Sequence, residues 1–581
     1  MTSEQQSVFC NQMQSEAFGE IKIDQSLIQR RNANYKPNIW NYDILQSLKS
    51  EYSDGKYITQ LIEAQKLKEE VLCHLAEIVN PLAKLELIDS INKMALSHLF
   101  EKEIMLCLQD MEYAKKKDSG GEMDLYSTAL YFRIFRQHGY KVTQDVFLSY
   151  MDKLGDQFEV DANMDPKTMV QLFEASQLAL KDENMLNEAR IFCTKNLKSS
   201  NIIPMEMPLH WQVEWYNTRG KISKQENEQR GPNFKLLQLA KLNFNMVQAE
   251  HQKDLVDILR WWRKLGLIEH LSFSRNRIVE SFLWSVGVAF EPQHSNFRNW
   301  LTKAITFIIL IDDVYDIYGS LQHLQLFTNA VVRWDPKEVE QLPVCMKTCF
   351  WKLYDTTNDV ALAIQQQKGW KLPVSTYLQK AWAEFCKALL VEAKWDAKGY
   401  TPSFSDYLDN GWKSSGGPVL SLHVLLGLAQ DFTQVMDFLE NEHDLIHYSS
   451  LIIRLCNDLG TSAAELERGD LSSSVLCHMK EANVDEDVAR EDIKDMVMET
   501  WKKMNKHCFD NSALSLGPLI KYIMNIARVT HFIYQNGDGF GVQDRETRQQ
   551  ILSSLIESLP LESEKTVLCN THIYIAKKKK K

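Results

Sequence analysis

Apolar residues recur at helical spacing along most of the chain, and few breakers interrupt them. Leu85, Leu87, Ile88, Ile91, Met94 and Ala95 form one such stripe, and Leu236, Leu239, Ala240 and Phe244 another. Only 23 glycines and 14 prolines are spread over 581 residues, so long helices are expected. No sustained strand-type alternation with hairpin turns is present. No internal repeat or long low-complexity tract is present either. The expected fold class is all-α. The chain is too long for one core. The polar stretch 223–232 (SKQENEQRGP) is the expected linker, dividing residues 1–231 from residues 232–565.

Composition narrows the function classes. A net charge of -11 leaves no basic excess for nucleic acid. The eleven cysteines contain no CxxC pair. Cys345 and Cys349 stand one helical turn apart without a nearby histidine to complete a zinc set. All read as reduced core thiols. The apolar run 305–311 is far too short for a membrane span. Residues 1–29 carry Glu16, Glu20 and Asp24 but no arginine. That composition fits neither a transit peptide nor a secretory signal, so the expected location is cytoplasmic. Residues 566–581 are unlike the rest and end in five lysines. A basic tail for an anionic surface is one reading. A poly(A) tract read in frame is the other, and no function is assigned to the tail.

The chemistry starts where that apolar run meets Asp312-Asp313-Val314-Tyr315-Asp316. Three carboxylates at the end of a buried wall are costly unless their charge is compensated. Asp312 and Asp316, four apart, would share a helix face and suit a hard cation such as Mg2+. Alone, the string also fits a solvated helix end. Downstream, Asn457, Thr461 and Glu465 follow i, i+4, i+8 spacing, spanning about 80 degrees of helical arc. Their oxygens again suit Mg2+ and not zinc. Arg275 and Arg277 precede the acids, and Arg454 stands three residues before Asn457. Arginines of this kind hold phosphate oxygens bidentately. Ligands and arginines together describe a diphosphate clamp.

These motifs resemble those of plant class I terpene synthases, over roughly residues 25 to 560. The matches are DDxxD at Asp312, NDxxTxxxE at Asn457, the paired arginines at Arg275 (RNR where the family usually has RDR, with Asn276 replacing the acid), and Arg30-Arg31 separated by eight residues from Trp40. Segments such as RQHGYKV, VGVAFEP, NGWKSSGGP and NGDGFG also read like family text. The resemblance implies an N-terminal helical barrel and a C-terminal class I bundle, acting as a monomer. It implies Mg2+ (three ions, with Mn2+ as a substitute) at Asp312 and Asp316, supported by Asp313, and at Asn457, Thr461 and Glu465. It implies diphosphate held by Arg275, Arg277 and Arg454, and a lid carrying Arg30, Arg31 and Trp40. Tyr534 and Asp538 would lie at the pocket as catalytic residues that help position or deprotonate the cation, and Trp284 would offer it an aromatic face; Trp284 reads equally as a core aromatic.

Two readings are set aside. A chain-elongating prenyl transferase needs a second aspartate-rich motif, and a class II cyclase needs DxDD; neither string is present. A non-catalytic helical scaffold would not need complete ligand sets. For the substrate, Ile305 and Ile308 precede Asp312 on its face, and Ile453 precedes Asn457. Isoprene synthases, of the same plant branch, carry phenylalanine at the positions matching Ile305 and Ile453. Isoleucine leaves length for a ten- or fifteen-carbon chain. Stretches such as RRNANYKPNIW, AKLNFN and LIDDVYDIYGS resemble α-farnesene synthases. The resemblance implies farnesyl diphosphate as substrate and an acyclic sesquiterpene, (E,E)-α-farnesene, as product. An acyclic monoterpene from geranyl diphosphate (β-ocimene, myrcene or linalool), or nerolidol, is the alternative.

Overall fold

The computed structural model describes residues 35–561, apart from 51, 53–56, 118–122, 153–157, 159–163, 200–206, 228–233, 469–471, 510–512, 541 and 544. The described residues are helical throughout, with a single isolated bridge between Met151 and Phe158. Their buried apolar side chains form one contiguous cluster. None of the helices is long and apolar enough to cross a membrane.

The N-terminal half stacks short helices, among them α1 (Leu125–Gln137), α2 (Pro166–Ser176) and α3 (Asn184–Ser199), each packed on the next. Residues 223–227 of the expected linker continue the helix Glu214–Asn227, and 228–233 lie outside the described residues. Lys, Gln and Glu are good helix formers, so polarity alone does not end a helix.

The helix α4 (Phe234–Leu265) then runs 32 residues without Gly or Pro, until Gly266 adopts φ +68°. It packs against helix Tyr57–Glu77 on one side and on C-terminal helices on the other. Its Asp254 binds buried Arg298 at 2.7 Å, tying α4 to the start of α6. Five helices surround the site: α5 (Ile278–Val288), α6 (Ser295–Asp313), α7 (Val374–Ala397), α8 (Gly417–Leu428) and α9 (His443–Arg468). A sixth, α10 (Ala513–Tyr534), packs along α9. Helix α5 is buried on every face, as expected of a central helix that is apolar all round.

Candidate active site

The apolar face of α6 delivers its acids into the end of a cavity between α6 and α9. The α-helix stops at Asp313 and continues as a π-helical turn, Val314–Tyr318. Asp316 therefore sits on a wider turn than the expected straight helix, a distortion common at functional sites. Asp312 and Asp316 still line the same cavity, facing Arg454, Asn457 and Thr461 of α9. Thr461 Oγ1 donates to the Asn457 carbonyl at 2.9 Å. Glu465 continues this row on α9, but its side chain lies outside the described residues. Gly460 lets the loop after α10 approach, because a Cβ there would stand 3.0 Å from the Gly537 carbonyl.

Asp313 is placed differently from its neighbours. It is fully buried and does not line the cavity. Its oxygens accept from Ser274 Oγ (2.6 Å), the Arg275 backbone N–H (2.8 Å) and Arg275 Nε (2.9 Å). Burial pushes its carboxyl up against the pull of Arg275. Asp313 is thus a bracket for Arg275, not a group facing the ligand site.

Arg275 does line the cavity, beneath the ring of Tyr35 at 4.9 Å. Arg277 does not. It caps α5, where the backbone turns into the helix. Its Nε donates to the Phe540 carbonyl at 2.6 Å and its Nη2 to the Lys36 carbonyl at 2.9 Å. Two arginines expected side by side are split by that turn. Arg454 is held by Gly411 O, Ser414 Oγ and Asp458 Oδ1 at 3.2, 3.0 and 3.3 Å. Glu392 stands 3.8 Å from it; burial pushes that carboxyl up, opposed by Arg454.

The apolar end of the cavity is lined by Trp284, Ile305, Ile308, Ile309, Leu420, Ile453 and Phe540. Ile308 packs on Gly416, whose φ of +77° and bare Cα bring the backbone in; a Cβ there would meet Ile308 at 2.9 Å. Trp284 stacks on Phe540 at 5.4 Å, and its indole N–H has no hydrogen-bond partner among the described residues. Tyr534 and Asp538 also line the cavity; burial pushes the Tyr534 hydroxyl up. Arg30 and Arg31 lie outside the described residues. Trp40 is buried, donating from Nε1 to Glu280 Oε1 at 2.8 Å.

Tyr35, Glu392, Ser414 and Phe540 were not foreseen from sequence. Glu392 carried a usable signal, a lone acid inside the apolar run ALLVEAKW. Tyr35 carried none, since only the path of the chain brings it to residues more than 200 positions away.

The donor set suits a hard cation. Two carboxylates face an amide and a hydroxyl, and the cavity lining holds no sulfur or imidazole. Among the described residues no group of three or more His, Cys, Asp or Glu gathers for a metal. Few protein ligands are what Mg2+ needs when phosphate oxygens and water complete its shell.

Among the described residues, helices alone build the site and bring oxygen ligands and arginines to one cavity. Residues 263–503 match the metal-binding domain of the terpene synthase family, and residues 39–214 match its N-terminal domain. The chain belongs to the terpene synthase family. It is 47% identical to an alpha-farnesene synthase of Ricinus communis, over 96% of this chain and 99% of that one. It is 47% identical to an (E,E)-alpha-farnesene synthase of Malus domestica, over 96% and 98%. Among solved structures, isoprene synthase from grey poplar in complex with three Mg2+ ions and dimethylallyl-S-thiolodiphosphate matches with a TM-score of 0.81 and 38% identity, over 90% of this chain and 99% of that one.

Proposed function

We propose that the protein converts farnesyl diphosphate to an acyclic sesquiterpene, (E,E)-α-farnesene, and diphosphate. The observation that carries this reading is the facing of Asp312 and Asp316 with Arg454, Asn457 and Thr461 in one cavity that Trp284, Ile305, Ile308, Ile453 and Phe540 also line. The near full-length similarity to α-farnesene synthases supports the product. The C-terminal part, residues 232–565, carries every described lining residue except Tyr35, which is why the division near residue 231 belongs to this reading. A cytoplasmic setting, where plant farnesyl diphosphate is mainly made, goes with it.

Mg2+ ions held by Asp312 and Asp316, and by Asn457, Thr461 and Glu465, would supply Lewis-acid neutralisation of the leaving diphosphate. Arg275 and Arg454 bind its oxygens, already oriented by Asp313 and by Ser414 with Asp458. Asp313 spends its charge on Arg275 and not on the ligand. Trp284 and Phe540 offer π faces to the allylic cation. The apolar walls exclude water from it. Asp538, which lines the same cavity, and the departing diphosphate, gripped by the arginines, are the two bases available to take the proton.

The cavity measures about 130 Å³. A cavity of about 150 Å³ takes a six-carbon ring, so a fifteen-carbon chain requires the walls to move on loading. Similarity to a myrcene synthase of Quercus ilex, 42% identical over 92% of this chain, supports one second reading, an acyclic monoterpene such as β-ocimene from geranyl diphosphate. The deciding experiment incubates purified protein with Mg2+ and each prenyl diphosphate and identifies products by gas chromatography–mass spectrometry. α-Farnesene should dominate from farnesyl diphosphate. Mainly cyclic sesquiterpenes, or activity confined to geranyl diphosphate, overturn the assignment.

A further inference from the structure

The segment 35–46 is fastened to the C-terminal half at several points: Arg277 donates to the Lys36 carbonyl, Tyr42 donates to Asn276 Oδ1 at 2.6 Å, Arg263 pairs with Asp43 at 2.6 Å, and Trp40 reaches the buried carboxylate of Glu280. Glu280, on the first turn of α5, is 1% exposed. Its Oε1 accepts from Trp40 Nε1 at 2.8 Å and from Gln543 Nε2 at 2.5 Å. Gln543 also reaches the segment directly, its Oε1 accepting from the Ile39 N–H at 3.1 Å. One helical turn further along α5, Trp284 stacks on Phe540, three residues before Gln543. Two stretches some 500 positions apart therefore share an anchor on α5.

A carboxylate here is not the cheapest way to fill the space. Its Oε2 has no hydrogen-bond partner among the described residues, and burial of such a group disfavours the folded state unless the bonds it makes matter. What those bonds secure is a partition. Tyr35, at the start of the segment, and Arg275 line both the active-site cavity and a second cavity of about 580 Å³, bordered by Trp262, Leu267 and Phe273. Tyr35 thus stands in the wall that the two cavities share.

We propose that Glu280 is a positioning residue that holds this partition shut and so decides whether the carbocation loses a proton or is captured by water. The inference rests on the ionisation chemistry proposed above. In capture, a water oxygen donates a lone pair to the allylic cation, forms a C–O bond and gives up a proton to solvent or to diphosphate, leaving an allylic alcohol. In its absence a C–H bond breaks, its electrons form the new alkene, and the proton passes to Asp538 or to the diphosphate. The ratio of alcohol to hydrocarbon therefore reports how firmly the segment is held. A protein that is merely less stable loses both products alike.

The test uses the full chain with Mg2+ and farnesyl diphosphate in ¹⁸O-labelled water, with products analysed by mass spectrometry and amide hydrogen exchange followed over residues 35–46. Glu280→Leu removes the acceptor, Gln543→Met removes one donor at a half-buried loop position, and Glu280→Gln keeps an acceptor. The Leu and Met variants should raise the labelled alcohol share roughly tenfold and speed exchange over 35–46 on the order of tenfold. The Gln variant should track the wild type in both. If Glu280→Leu fails to fold, Gln543→Met decides alone. Normal diphosphate release with an unchanged alcohol share overturns the role of Glu280 only. No diphosphate release by the wild type overturns the functional reading and this inference with it.

Discussion

Arg275 and Asp312 are already paired, with Nη2 2.6 Å from Oδ2. The arginine that would grip diphosphate thus sits on the carboxylate that would grip a cation. Each satisfies the other, which limits the cost of gathering these charges in a largely buried site.

Removing that carboxylate should abolish most turnover. Asp312→Ala is expected to lower kcat about a hundredfold or more, the scale of losing one preorganised electrostatic contact, while the helical circular dichroism spectrum stays unchanged. Excess chelator should do the same to the wild type. Full activity in chelator would refute the metal chemistry.

Pocket length should follow two side chains. Ile305 and Ile453 both line the cavity. Replacing both by phenylalanine is expected to shift the ratio of kcat/KM values at least about tenfold from the fifteen-carbon toward the five-carbon diphosphate, within what pocket volume discriminates. Competition between the two substrates in one vessel measures it directly. A wild type making isoprene as its main product would count against the reading.

Stability should depend strongly on Asp254. Arg298 is fully buried, and its guanidinium spends one edge on Asp254 Oδ2 and another on the carbonyls of Ala289 and Glu291. Asp254→Ala leaves that charge without its counterion, so unfolding should become easier by about 3–5 kcal/mol. Urea titration monitored by tryptophan fluorescence measures it. Adding Arg298→Met should recover part of the loss, since the orphaned charge is then gone.

Acid should weaken the fold well before its carboxylates titrate. Burial pushes His531 down to about 3 from an ordinary 6.5. Its Nε2 accepts from Trp501 Nε1 at 2.7 Å, which requires the neutral ring. Burial likewise pushes His138 and His423 down to about 4. Unfolded histidine takes up a proton near 6.5 and the folded ring does not, so the stability these groups contribute is present above 6.5 and falls as pH drops toward their folded values. Urea midpoints should decline between about pH 7 and pH 5. His531→Gln keeps an acceptor for Trp501 without the titration and should flatten that slope; an unaltered slope would argue that His531 does not contribute.

The residues themselves determined the helical class, the acids at the end of an apolar wall and the row Asn457, Thr461, Glu465. These are matters of spacing along one helix, and helical geometry turns spacing into a shared face without outside help. The tertiary structure alone decided which neighbours face the ligand. Asp312 and Asp313 are adjacent in sequence, yet one lines the cavity and the other is buried against Ser274 and Arg275. Arg275 and Arg277 are two apart, yet the turn into α5 sends one to the cavity and the other to the carbonyls of Lys36 and Phe540. Trp40, Glu280 and Gln543 meet only because distant parts of the chain come together beside the cavity. Contacts between residues hundreds of positions apart depend on how the helices pack, and packing is set by the summed burial of many side chains, which no local pattern records.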